Sequence, residues 1–167
     1  ISLSYATCEA ENTQGNAEYL DSEFSQAAMA GLTVFVGSGD GGVAGCALLD
    51  SPPTAGEQMS TNLLCASGYV TCVGGTEFAD SVDPDAYWRP VDSSTFESAL
   101  GYIPEGAWNE PLDSTGATQT AASGGGVSAY LATSVWQSGV GVPGTQGSYT
   151  PDVSFSASMH DAYFSCF

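Results

Sequence analysis

The chain has 167 residues, with 19 Asp and Glu residues and a single Lys or Arg, Arg89, so that the formal net charge is −18. Nucleic acid and anionic membranes are therefore not expected as partners, because binding phosphate requires clustered Lys and Arg. Hydrophobic residues make up 43% of the chain and charged residues only 12%, which favours one domain, or a large part of one, over disorder. No apolar run approaches the roughly 20 residues that span a bilayer.

The acidic composition has two interpretations. Life in acid is one, because many carboxylates gain protons near pH ~3–4 and few cations remain to repel one another. An ordinary secreted protein kept soluble by surface carboxylates is the other. Five cysteines and 21 glycines suit a secreted, extracellular chain with long loops, in which one cysteine lacks a partner within the chain. No metal site is expected, because there is no CxxC motif and His160 is the only histidine.

The first elements form a strand–helix–strand unit. Residues 1–5 are apolar and typical of a strand, with no signal peptide before them, so the chain is expected to begin in the middle of a fold. Apolar residues at helical spacing predict a helix from Ala17 to Ala28, with acidic residues in its first turn and Gly31 at its end. Residues 32–36 predict a strand covered on both faces. This βαβ pattern indicates a parallel sheet.

A glycine-rich loop, residues 37–42, follows the second strand and contains Asp40. Functional loops of α/β sheets lie beyond the carboxyl ends of strands, although a simple Asp-Gly turn explains the same residues. A loop is expected over 47–68 and a strand over 69–73, closed by two glycines. The stretch 77–120 is irregular, and a connection of this length is often functional. The glycine-rich residues 123–126 follow, and the last strand is predicted over 151–156.

Several segments together resemble the sedolisin family of serine-carboxyl peptidases, in particular its kumamolisin-like bacterial members. They occur in the order of the family and cover nearly the whole chain: ISLSYATCEA, TVFVGSGDGGVAGC, GYVTCVGGTEF, YIPEGAWNE, SGGGVSAYL, VWQ, VP and PDVSFSAS. Any one of them is a weak signal, whereas eight in order are a specific one. The resemblance implies an α/β, subtilisin-like fold with a mostly parallel sheet and flanking helices.

The resemblance also implies a Ser-Glu-Asp peptidase of which residues 1–167 are the central part. In the family, the catalytic Glu and Asp precede the ISLSY-like strand, and the nucleophile lies in a Gly-Thr-Ser motif after the PDVS strand. This sequence contains no Gly-Thr-Ser motif. The calcium site of the family follows the nucleophile, so no cofactor is expected in this chain. The expected partners are a peptide or protein substrate and the remaining segments of the peptidase or further copies of the chain.

Asp40 matches the oxyanion-hole aspartate of the family, within the Ser38-Gly39-Asp40 motif. Acyl transfer places negative charge on a carbonyl oxygen, and a protonated carboxyl group can donate a hydrogen bond to it. Substrate binding is implied for Ser38 and Gly39 of this motif. It is also implied for Ser4, Tyr5 and Ala6, which match the edge strand that pairs with the substrate, although the family usually has glycine in place of Ala6. It is further implied for Ser123, Gly124 and Gly125, the glycine-rich stretch beside the cleft. A flexible turn is the alternative interpretation of this stretch.

Disulfides are predicted between Cys8 and Cys46 and between Cys65 and Cys72, leaving Cys166. The first pair follows two βα loops at one sheet edge, and similar family members carry cysteine at both positions. The second pair closes a short loop that ends in the strand over 69–73. Geometry is its risk, because a disulfide requires a Cα separation of about 4.4–6.8 Å.

The remaining candidates have structural interpretations. Catalysis by Glu9, Glu11, Glu18 or Glu23 is not expected, His160 is expected in a surface loop, and the three tryptophans are expected to pack in the core rather than to form a carbohydrate platform: Trp88, Trp108 and Trp136. Two functions remain open. One is a contribution to an endopeptidase, with this chain inactive by itself. The other is a non-catalytic, structural or self-assembling extracellular module derived from the same fold.

Overall fold

The computed structural model describes residues 1–46, 58–81, 83–95, 97–144 and 146–161. Five strands form a mixed sheet with one antiparallel member. The strands of this sheet are β1, Ser2–Leu3; β2, Phe35–Gly37; β3, Thr71–Phe78; β4, Glu105–Ala107; and β7, Val153–Ser156. The parallel strands lie in the order β1–β2–β3–β7, and the antiparallel strand β4 pairs with the last three residues of β3.

The predicted βαβ unit is present, with shifted boundaries. Helix α1 spans Gln14–Met29 and lies between the parallel strands β1 and β2. It begins earlier than the apolar pattern predicts because the Thr13 hydroxyl caps it, accepting a hydrogen bond from the Asn16 backbone N–H at 3.2 Å. Its first turn therefore contains no acidic residue. Strand β1 ends at Leu3, so residues 4–6 lie beyond it.

Strand β3 continues through Gly74 and Gly75, where the sequence predicts its end. Both positions require the absence of a side chain. A Cβ atom at Gly74 would lie 2.7 Å from Pro151 Cγ, and one at Gly75 would lie 2.7 Å from Ala157 Cβ. The two glycines thus allow the β7 segment to approach β3 closely, rather than forming a turn.

The predicted irregular stretches contain short elements. Three-residue and four-residue 3-10 helices span Glu9–Glu11 and Leu63–Ala66, and helix α2 spans Pro84–Tyr87. Outside the main sheet, strands β5 (Gly126–Val127) and β6 (Tyr149–Thr150) form an antiparallel pair. Much of the predicted loop over 47–68 lies outside the described residues, as does Cys166.

One face of the sheet carries the core, and the other is open in the described part of the chain. Val36 and Cys72 pack in the core beneath α1, together with Val34, Cys65 and Val70. Strand alternation directs Phe35, Val153 and Phe155 to the opposite face. These three side chains are 46%, 42% and 58% exposed. The expectation that the second strand is covered on both faces is therefore wrong for the described residues.

Two disulfides join the cysteine pairs that the sequence predicts. Cys8 is bonded to Cys46 across a Cα separation of 4.8 Å, and Cys65 is bonded to Cys72 across 5.0 Å. Cys72 lies in β3 and points into the core, where the adjacent 3-10 helix places Cys65 within reach. Within the described residues, no helix has the length and apolar character needed to cross a membrane.

Candidate active site

Asp40 lies just past the carboxyl end of β2, in a tightly held loop. The Ser38 backbone N–H donates to the Val73 carbonyl at 2.8 Å, which continues the pairing between β2 and β3, and Ser38 is buried. Gly39 has φ +105°, a conformation that glycine adopts without strain. This turn presents Asp40 at the surface, beyond the sheet edge.

The predicted substrate-edge residues lie beside Asp40. A cavity of about 230 Å³ is lined by both groups: Ser4, Tyr5, Ala6, Gly37, Gly39 and Asp40. Ala6 is in close contact with the Asp40 loop, because its Cβ atom lies 3.4 Å from the position that a Cβ atom at Gly39 would occupy. The structure thus brings together two segments that are separated by more than 30 residues in the sequence. The side chains of residues 4–6 are exposed, as an open binding edge requires.

The glycine-rich stretch supports the Asp40 loop from the other side. Gly124 N–H donates to the Gly39 carbonyl at 2.7 Å, and Ala122 N–H donates to the Asp40 carbonyl at 2.8 Å. A Cβ atom at Gly124 would lie only 2.3 Å from the Ser38 carbonyl oxygen. Glycine is therefore needed for this close approach, and hydrogen bonds hold the stretch in place.

Ser123 connects the same stretch to strand β3. Its hydroxyl accepts a hydrogen bond from the Gly75 backbone N–H at 2.9 Å, and its own N–H donates to the Trp108 carbonyl at 2.9 Å. Gly125 is also tightly packed, because a Cβ atom there would lie 3.0 Å from the Thr150 carbonyl oxygen. Ser123 and Gly125 thus position backbone segments next to the Asp40 loop.

Asn62 is a site residue that the sequence motifs do not indicate. Its buried side-chain amide donates to the carbonyl oxygens of Tyr5 at 3.1 Å and Gly37 at 2.8 Å. Its side-chain oxygen accepts from the Thr7 N–H at 3.1 Å and the Leu64 N–H at 3.2 Å. One side chain thus joins the substrate-edge segment to the end of β2. The available signal was an Asn preceding a short helix, a common capping pattern that does not point to a site.

The Asp40 side chain is exposed, and among the described residues none donates a hydrogen bond to its carboxyl group. Asp40 also lines a second cleft, of about 280 Å³, which extends along the open face of the sheet past Gly75, Trp108 and Phe155. A reacting group in this cleft would therefore meet Asp40 on one side and the open apolar face on the other.

Glu9 has a structural role near the site, and one sequence expectation about the tryptophans needs correction. Glu9 is buried, and its carboxylate accepts hydrogen bonds from the Ser128 hydroxyl and from the Ala129 N–H at 2.8 Å, so it fixes the loop that follows β5. Trp136 is 58% exposed rather than packed in the core. It lines a larger cavity, of about 760 Å³, that lies at the amino-terminal ends of β2 and β3 and contains none of the predicted site residues.

Hydrogen bonding lowers the pKa of two carboxyl groups outside the Asp40 loop. The pKa of Glu110 is lowered mainly by a hydrogen bond from the Ser158 hydroxyl, and His160 lowers it further through a favourable charge and a hydrogen bond. The pKa of Asp113 is lowered mainly by a hydrogen bond from the Thr115 side chain, followed by hydrogen bonds from the backbone N–H groups of Ala117 and Thr115. Both shifts favour the ionised carboxylate.

Comparisons with known proteins identify similar chains. Over 161 residues, 95% of its length, the chain is 36% identical to sedolisin from Pseudomonas sp. (strain 101). It spans 24% of that protein. A solved structure of Pseudomonas sedolisin, a serine-carboxyl proteinase complexed with two molecules of pseudo-iodotyrostatin, matches with a TM-score of 0.64 and 33% identity, over 94% of this chain and 37% of that one. No family model matches the chain.

Proposed function

This chain belongs to the sedolisin family, and we propose that it contributes the oxyanion donor and the substrate edge of a secreted, acid-acting serine-type endopeptidase. The observation that supports the proposal is the shared cavity, in which Asp40 lies beside Ser4, Tyr5 and Ala6. A substrate backbone in this cavity would have a hydrogen-bonding edge and a carboxyl group within reach of its scissile carbonyl.

The proposed chemistry assigns two tasks to these residues. The backbone of residues 4–6 continues past β1 at the sheet edge, where an extended peptide can add as a further strand. When the serine nucleophile of the remaining chain attacks, Asp40 donates its proton in a hydrogen bond to the carbonyl oxygen as that oxygen becomes negative. An ionised Asp40 would repel the oxyanion instead, so the arrangement suits an acid medium.

The support for the Asp40 loop explains how the donor stays in position. Gly124 and Ala122 hold its backbone from one side, and Asn62 fixes Gly37 on the other. Such fixed donors stabilise a developing charge without having to reorganise during the reaction. In this proposal, calcium and the nucleophile are supplied by the part of the peptidase beyond these residues.

Secretion is part of the proposal. The two disulfides, Cys8–Cys46 and Cys65–Cys72, suit an oxidising compartment. The net charge of −18 suits a protein that works where many carboxylates are protonated.

The open sheet face supports a second candidate function. Phe35, Val153 and Phe155 expose an apolar surface that another chain segment must cover in a stable protein. We assign the remaining segments of the peptidase to this face. Further copies of the chain would cover it in a self-assembling, non-catalytic module.

One experiment separates the two functions. The protein is purified as its source produces it, its intact mass is measured, and peptide hydrolysis is assayed in acid. The proposed function requires a mass larger than that of residues 1–167, or companion peptides, together with hydrolysis. A stable assembly of the 167-residue chain alone, with no hydrolysis, would instead support the module.

A further inference from the structure

A cluster of possible metal ligands lies at the carboxyl ends of β3 and β7. These strands are parallel neighbours, so the segments that follow them emerge side by side. Asp80 follows β3, and His160 and Asp161 follow β7. Each of the three offers one candidate ligand atom, and these atoms all lie within 4.8 Å of one another. None of the three belongs to the Asp40 site.

Each of these side chains is held by a partner on its far side. Trp88 Nε1–H donates to Asp80 Oδ2 at 2.6 Å, and the Phe78 backbone N–H donates to Asp161 Oδ2 at 2.7 Å. His160 Nδ1 lies 3.2 Å from Glu110 Oε1. Supporting contacts of this kind orient the ligands of protein metal sites, and a carboxylate behind a histidine is a recurring example. They leave the two Oδ1 atoms available to an ion, together with His160 Nε2, which lies 3.4 Å from Ser158 Oγ and 3.5 Å from Asp161 Oδ1.

The available oxygens are buried without a donor. Oδ1 of Asp80 and Oδ1 of Asp161 are inaccessible to solvent, and neither accepts a hydrogen bond from any described residue. The Asp161 side chain is 1% exposed, and His160 Nε2 lies 3.5 Å from its Oδ1. Burying carboxylate oxygens without partners is costly, so two such atoms in residues of one cluster indicate a missing cation.

We propose that Asp80, His160 and Asp161 bind one divalent transition-metal ion of the Zn²⁺ type. One imidazole and two carboxylates suit Zn²⁺, whereas Ca²⁺ and Mg²⁺ prefer oxygen ligands alone. The His160 side chain is 41% exposed and lines a cavity of about 420 Å³, which gives the ion a path of entry and leaves a coordination position for water. The bound ion joins the segment after β3 to the segment after β7.

This site could not be predicted from the sequence, because Asp80 lies 80 residues before His160 and the three ligands match no spacing motif. Because the sequence contains a single histidine, it predicts no metal site, but the fold brings two carboxylates close to that histidine. The parallel register of β3 and β7 creates the cluster.

Titration calorimetry with Zn²⁺ tests the proposal on the complete protein, at neutral pH and with Ca²⁺ in excess throughout. One Zn²⁺ should bind per chain and raise the thermal unfolding midpoint. His160→Ala and Asp161→Asn should each weaken binding by at least the roughly 10- to 100-fold that loss of a supporting residue costs. His160→Ala removes a side chain that is 41% exposed, so this variant is expected to fold.

Asp92→Asn is the matched control, because it removes one exposed carboxylate outside the cluster and should leave the Zn²⁺ affinity unchanged. The proposal is overturned if the folded protein binds no Zn²⁺ in one-to-one ratio. It is also overturned if excess Ca²⁺ abolishes the binding, or if His160→Ala binds Zn²⁺ as tightly as the unaltered protein.

Discussion

The side-chain amide of Asn62 donates a 2.8 Å hydrogen bond to the carbonyl oxygen of Gly37, the last residue of β2. The same nitrogen also donates to Tyr5, so the distance between the substrate edge and the Asp40 loop depends on one buried residue. Removing one partner of a buried hydrogen bond costs about 1–3 kcal/mol, because the other partner remains desolvated.

Asn62→Ala should therefore lower the free energy of unfolding of the complete protein by about 3 kcal/mol, since Tyr5, Thr7 and Gly37 each lose a partner. Denaturant unfolding measures the loss. Asn16→Ala is the control, because Asn16 is exposed and its side-chain amide makes one long bond of 3.4 Å. Equal stability of the two variants would show that Asn62 does not hold these segments together.

The sheet geometry gives a second prediction, based on two glycines in adjacent strands. Gly75→Ala should destabilise the protein by about 1–3 kcal/mol, because its Cβ atom would lie 2.7 Å from Ala157 Cβ and push β7 away from β3. Gly106→Ala in β4 meets nothing within 4 Å and should be neutral or slightly stabilising. Thermal unfolding of both variants decides the matter, and a Gly75→Ala midpoint equal to that of Gly106→Ala would contradict the close packing.

These glycines also show what the sequence can predict. The four parallel strands and α1 follow from apolar runs and helical spacing, and the parallel sheet follows from the βαβ pattern, whereas the antiparallel strand β4 lies in a stretch that the sequence predicts to be irregular. The end of β3 does not, because Gly74 and Gly75 look like a turn until Pro151 and Ala157 are seen against them. Local sequence carries no record of such contacts between distant segments.

The site shows the same division. Asp40 could be singled out because a glycine-rich loop after a buried strand is a local pattern that matches a known family. Asn62 and Glu9 could not, because their roles arise from partners 25 and 119 residues away. Glu9 in particular belongs to no local pattern that indicates burial, yet it is buried against Ser128.

Asp113 provides a prediction on pH. The Thr115 side chain, its main hydrogen-bond donor, lowers the pKa of Asp113 in the folded protein. A lowered folded pKa means that ionised Asp113 stabilises its loop above the unfolded pKa, and that this contribution is lost as the pH falls through the folded pKa. Thr115→Val should raise the pKa of Asp113 toward its usual range, as followed by NMR titration of the side-chain carboxyl carbon.

Thr118→Val is the control for this titration, since Thr118 lies in the same exposed loop and does not contribute to the lowered pKa of Asp113. If Thr115→Val and Thr118→Val titrate alike, the hydroxyl of Thr115 is not what stabilises the Asp113 carboxylate.

The last prediction concerns Asp40 in the complete enzyme. Loss of one oxyanion donor typically lowers turnover about 100- to 1000-fold, and Asp40→Ala should lower kcat in acid by that factor. Folding should be preserved, because the Asp40 side chain is exposed and accepts no hydrogen bond from any described residue. Asp40→Asn keeps an N–H donor at every pH, so it should lose less activity and should shift the pH optimum upward. Asp92→Ala, which removes an exposed carboxylate outside the site, provides the control for charge. Wild-type turnover by a folded Asp40→Ala variant would leave Asp40 as a turn residue only, and the proposed peptidase would then need another donor for its oxyanion.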